Sequence, residues 1–146
     1  MNRQSKYPDT KTFHYYNANP KNRITTDCVI RALSTAMDKD YNEVVMELAE
    51  MQCKTGYDDG DTKLIDKYLQ SKGWVKNKQP RKEDGTKYTG KEWCLEMQED
   101  YDWIIGKKKN VIANIGGHHI VAIVDGQVWD IWDSTDKCIG NYWTKG

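Results

Sequence analysis

The 146-residue chain carries 22 basic and 22 acidic side chains, a balance that provides no global field to draw it to nucleic acid or to an anionic membrane surface. Its length suits a single domain, residues 1–146, able to bury about two-thirds of the surface of its unfolded chain. A polar N-terminus and the lack of any run of about 18 apolar residues argue against a secretory signal or a membrane span, so the expected compartment is the cytoplasm.

Four cysteines, Cys28, Cys53, Cys94 and Cys138, are widely spaced and include no C-x-x-C pair. They are expected to be reduced thiols, neither a disulfide frame nor a zinc site, and no metal or other cofactor is expected. Six tryptophans and nine tyrosines stand beside one phenylalanine. In so small a domain such rings are expected to build the core.

Residues 1 to about 25 hold aromatics at Tyr7, Phe13, Tyr15 and Tyr16 and turn formers at Asn17, Asn19, Pro20 and Asn22, which reads as an extended arm packed by its rings. A helix follows from Cys28 to Met37, with Asp27 placed to cap it and Val29, Ile30, Leu33, Ala36 and Met37 as its apolar stripe. Asp40 and Glu43 are spaced as a capping box for a second helix, whose Val44, Val45, Leu48, Ala49 and Met51 are predicted to face inward. A third helix runs from about Thr62 to Lys72, with Gly73 at the position that favours a left-handed cap.

Between Lys72 and Lys91 seven basic residues outnumber Glu83 and Asp84, and the segment is predicted to be a loop or ragged hairpin. Thr89 and Glu92 suggest another capping box. The helix it starts carries Trp93, Leu95, Met97 and Tyr101 and ends before Trp103. Strands are then predicted over Val111–Ile115, His119–Val124 and Gln127–Trp132, with Asp125-Gly126 as a hairpin turn and Ile139–Trp143 as an edge strand. Helices first and an antiparallel sheet afterwards make an α+β architecture.

The chemistry concentrates in two segments. A thiol at the start of a helix feels the positive end of the dipole and the free N–H groups of the first turn, both of which favour thiolate. Cys28 is therefore a candidate nucleophile, and a base is offered by Gly116-Gly117-His118-His119. With a two-residue turn at Asp125-Gly126, His118 faces Asp133, and His119 faces Trp132 with Asp130 diagonally on the same side. A bulge at Gly126 slips the register by one and brings His119 to the face of Asp133 instead. Either pairing sets a carboxylate beside an imidazole, which could fix its tautomer through Nδ1.

The order Cys on a helix, His at the start of a strand and Asp at the end of the next resembles the papain-like cysteine peptidase superfamily. The likeness is to its small bacterial branches, the cell-wall amidases and endopeptidases and the bacteriocin-processing peptidases. It extends to phage-encoded proteins with a Thr-Asp-Cys-Val-Ile-Arg-Ala-Leu segment and a later His-x-x-Ala-Ile-x-Asp-Gly hairpin ending in Trp-Asp-Ser, here Thr26–Leu33, His119–Gly126 and Trp132–Ser134. The resemblance implies a papain-like fold whose central helix carries Cys28 as nucleophile, with His119 as base and then acid and Asp133 as orienting group. His118 and Asp130 are the alternatives for the last two roles. It implies oxyanion stabilisation by the Cys28 N–H and an upstream side chain, for which Asn22 is the candidate. The implied reaction is acyl transfer from an amide or isopeptide bond of a protein or peptide substrate. For a phage-encoded member the implied compartment is the host cytoplasm.

Two other readings compete. A catalytically silent binding or inhibitor module on the same fold would act through the basic segment, with Lys76, Lys78, Arg81 and Lys82 as its contacts. Nucleic-acid binding through that segment, with Trp74 and Tyr88 as stacking groups, is opposed by the neutral net charge.

Overall fold

The computed structural model describes residues 2–100 and 110–146. These residues form an α+β fold of five helices and a six-stranded mixed sheet. The chain runs α1 (Arg3–Lys6), β1 (Phe13–Tyr15), α2 (Cys28–Met37), α3 (Tyr41–Thr55), α4 (Thr62–Ser71), β2 (Trp74–Asn77), α5 (Gly90–Glu99), β3 (Val111–Ile115), β4 (His119–Val124), β5 (Gln127–Asp130) and β6 (Ile139–Lys145). Tyr101, expected on the fourth long helix, and Trp103, before which that helix is expected to end, lie outside the described residues.

The sheet order is β1-β5-β4-β3-β6-β2, and both faces are covered. Ile112 of β3, Ile120 and Ala122 of β4 and Trp143 of β6 pack against α2, α3 and α4. Val111, Ala113 and Ile115 of β3 and Val121 and Ile123 of β4 join Trp93, Cys94 and Met97 of α5 on the opposite side. Burial on both sides is why β3 and β4 read as nearly continuous apolar runs.

Three sequence expectations need correction. The sheet is mixed, because the arm supplies β1, which pairs parallel with β5 through Phe13↔Val128 and Tyr15↔Asp130. Fully buried Phe13 is the anchor that draws the arm into the sheet. Residues 139–145 are not an edge strand: β6 lies between β3 and β2, since Trp74–Asn77 of the basic segment pairs antiparallel with it. Finally, only Val44 and Leu48 of α3 are buried; Val45 and Ala49 are exposed. One helix face suffices for contact with α2 and α4, and a stripe rotated about 100° from it is left open.

The basic segment is not a platform for bases. Trp74 is buried in the core against α4, Tyr88 packs on the α5 cluster, and Lys82 is paired with Glu92 at 2.5 Å. Among the described residues no helix is long and apolar enough to cross a membrane.

Local signals are met at the starts of α3 and α5. Thr89 and Glu92 form a complete capping box on α5, and Asp40 Oδ2 accepts from the Glu43 N–H at the start of α3. The β4–β5 turn has positive φ at both Asp125 (51°) and Gly126 (74°), as a type I′ hairpin demands. The pairs Val124↔Gln127, Ile123↔Val128 and Ala122↔Trp129 follow. The register is the one without a bulge.

Candidate active site

Asp27 occupies the N-cap position of α2, yet its side chain makes no capping hydrogen bond. Oδ2 instead accepts from Tyr41 Oη at 2.6 Å and Asn19 Nδ2 at 3.1 Å, and Oδ1 accepts from Arg31 Nε at 2.8 Å. Burial would raise this carboxyl, but Tyr41, Arg31 and Asn19 together hold it below the usual range. Burial and the same hydrogen bond push the Tyr41 hydroxyl up to about 12. The first-turn N–H groups of α2 thus receive no side-chain cap from Asp27, and Cys28 sits among them.

Cys28 is half-buried. Its thiol interacts with the His119 imidazole and with the backbone N–H of Ile120, the first two residues of β4. Burial opposes the thiolate, but the hydrogen bonds from His119 and Ile120 and the positive charges of His119 and Arg31 outweigh it, so the thiol lies below its ordinary value.

His119 Nε2 meets Asp130 Oδ2 at 2.6 Å, leaving Nδ1 as the nitrogen for Cys28. Burial would lower the imidazole, but its bonds to Asp130 and Cys28 raise it to about 9. Trp132 packs against the ring with centroids 4.9 Å apart. Asp130 is 2% exposed; its Oδ1 accepts from the Ile131 N–H at 2.7 Å and from Arg31 Nη1. Arg31, itself 5% exposed, therefore lies between two carboxylates. The result is a continuous chain of interactions: Cys28, His119, Asp130, Arg31, Asp27, Tyr41.

Comparison with protein-family models, curated proteins and solved structures gave no match in any of the three.

The structure brings together Cys28, His119 and Asp130, but not Asp133. β5 ends at Asp130 and the chain bends away, so Asp133 Oδ1 is spent on the N–H and hydroxyl of Thr135, at 2.9 and 2.6 Å. Its charge is felt by Cys94. The imidazole is fixed through Nε2, not Nδ1. Asn22 is exposed and adopts φ 53° in a turn, its side chain accepting from Asn17. It is not among the residues that line the cleft at Cys28. His118 is exposed in the β3–β4 turn and lines the mouth of the cleft beside Cys28.

Arg31 and Tyr41 belong to no motif of catalytic residues, and Asn19 reads in the sequence only as a turn former. For Arg31 the available signal is that it is the only charged side chain of the helix Cys28–Met37, four positions after Asp27 and three after Cys28. Such spacing puts it on the face of both.

The other thiols differ in kind. Cys94 is fully buried, and burial pushes it up to about 12. Cys53 and Cys138 are exposed. A cleft of about 570 Å³ opens at Cys28 and runs between α3, the start of α4 and the β3–β4 turn.

Proposed function

We propose that this chain is a cysteine-dependent hydrolase of the papain-like kind, performing acyl transfer on an amide or isopeptide bond with Cys28, His119 and Asp130. One observation carries the reading: Cys28 and His119 interact, and a buried carboxylate holds the far nitrogen of the same ring. That is the nucleophile, base and orienter order on which covalent acyl transfer depends.

The Cys28 thiolate attacks the carbonyl carbon, forming a C–S bond. The oxyanion that develops is stabilised by the Cys28 N–H and the uncapped start of α2. Collapse breaks the C–N bond as the His119 imidazolium gives its Nδ1 proton to the leaving amine. Neutral His119 then removes a proton from water, hydroxide adds to the thioester, and the acid departs as the thiolate and imidazolium are restored. Asp130 keeps the Nε2 proton directed at itself throughout and does not need to accept it.

Iodoacetamide should modify Cys28 faster than Cys53 or Cys138 below pH 7, read residue by residue by mass spectrometry. Equal rates for the three, appearing only above pH 8, would remove the hydrolase.

A titration separates the two acids. By side-chain NMR, His119 should lose its proton with a midpoint near pH 9, and Asp130→Asn should lower that midpoint, because it takes away the anion that favours the imidazolium. Asp133→Asn should leave it in place. The reverse outcome would make Asp133 the orienter after all.

A further inference from the structure

Four of the five described helices start from a residue whose side chain closes the first turn: Asn2, Asp40, Asp61 and Thr89 each accept from an N–H of their own helix. Their backbones lie at ψ between 126° and 168°, as a capping residue requires. Asp27 departs on both counts: its ψ is 28° and its side chain makes no cap on α2. What its carboxylate accepts comes from Tyr41 Oη at 2.6 Å and Asn19 Nδ2 at 3.1 Å on one oxygen, and from Arg31 Nε at 2.8 Å on the other. Asn19 Nδ2 also reaches Tyr41 Oη at 3.5 Å, so the donors brace one another. Tyr41 is the first residue of α3 and Asn19 lies on the arm, and neither lines the cleft at Cys28. Both are placed to act on Asp27, not on a bound substrate.

We propose that Tyr41 and Asn19 are positioning residues for Cys28: they hold the Asp27 carboxylate against Arg31 and away from the first turn of α2, whose N–H groups are thereby left to the thiolate. The proposal rests on Cys28 and His119 being the working pair. Releasing the clamp has two consequences, and they have the same sign. The carboxylate would be drawn to the N–H groups of its own helix, as the other N-caps are, and its charge would be less neutralised beside the sulfur. Both disfavour thiolate. The charges of His119 on β4 and Arg31 on α2 favour it.

Tyr41→Phe deletes the shortest of the bonds to Asp27 and keeps the ring. Iodoacetamide alkylation of Cys28, followed by mass spectrometry as a function of pH, should show its midpoint raised by about 0.5 pH or more and its rate at pH 6 lowered severalfold. Asn19→Ala should move the midpoint the same way by less, since its bond is longer. In an Asp27→Asn background, which has no carboxylate to hold, Tyr41→Phe should leave the midpoint where it stands. Thermal unfolding is recorded for each variant. A lower melting temperature with an unchanged midpoint in both Tyr41→Phe and Asn19→Ala would reduce the clamp to a tie between the arm and α3 and overturn the proposal. An equal rise with and without the Asp27 carboxylate would overturn it too, because Tyr41 would then act by another route. Either result leaves the hydrolase standing while iodoacetamide still selects Cys28 over Cys53 and Cys138 in the unmodified protein. Loss of that selectivity would overturn both.

Discussion

Arg31→Met is expected to cost ~3–5 kcal/mol of unfolding free energy, the range for removing one partner of a buried ion pair. Arg31 and Asp130 are 5% and 2% exposed, and the guanidinium spans Asp130 and Asp27. Methionine matches the stem but leaves two carboxylates facing each other across an apolar gap, with His119, Tyr41 and Asn19 as their remaining partners. Arg31→Lys should recover only part of the loss, since an ammonium on a flexible stem cannot present the fork that reaches both acids. Urea denaturation with an unchanged m-value reads the difference. A loss below about 1 kcal/mol would place Arg31 among exposed pairs of small worth and sever the link between Asp27 and Asp130.

His119→Gln should slow iodoacetamide alkylation of Cys28 severalfold at pH 6, and by less at pH 9. Two opposing effects set that figure. Without the imidazolium the thiol returns toward its ordinary range, where at pH 6 on the order of one molecule in a thousand is thiolate. A thiolate of higher pKa is, however, the stronger nucleophile, and this recovers part of the deficit. On going down from the ordinary thiol range, only the variant loses thiolate until the lowered pKa of Cys28 is reached, so the ratio widens as the pH falls from about 8.5. Cys53 and Cys138, exposed in the same molecule, supply the internal reference. Buried Cys94, pushed up to about 12, should stay unmodified in both proteins. A ratio that does not change with pH would mean that His119 only covers Cys28 and does not ionise it.

Elements whose signals are local were legible from the residues themselves. The start of α5 could be read from Thr89 and Glu92 because a capping box is closed within one turn. The β4–β5 hairpin could be read from Asp125-Gly126 because few residue pairs tolerate two consecutive positive φ values. That turn also set which residues face each other across β4 and β5, and so brought an acid to the side of His119. The placement of Cys28 at the head of a helix was equally local, since the apolar stripe of α2 begins directly after Asp27.

What lay beyond the ends of those elements was decided only by the tertiary structure. Asp130 and Asp133 are separated by three positions, and either could have met the imidazole; the bend after β5 delivered Asp130 to His119 and Asp133 to Thr135. Asp27 looked like an N-cap, but Tyr41 and Asn19, brought from other segments, offered its carboxylate stronger partners than the helix did. The parallel pairing of β1, the insertion of β2 beside β6 and the open stripe of Val45 and Ala49 likewise depend on which surfaces the other elements had already occupied. Capping and turn chemistry act between neighbours along the chain, so they are written there. The choice among several suitable partners is a competition for burial and charge, and it is settled only when all the competitors are in place.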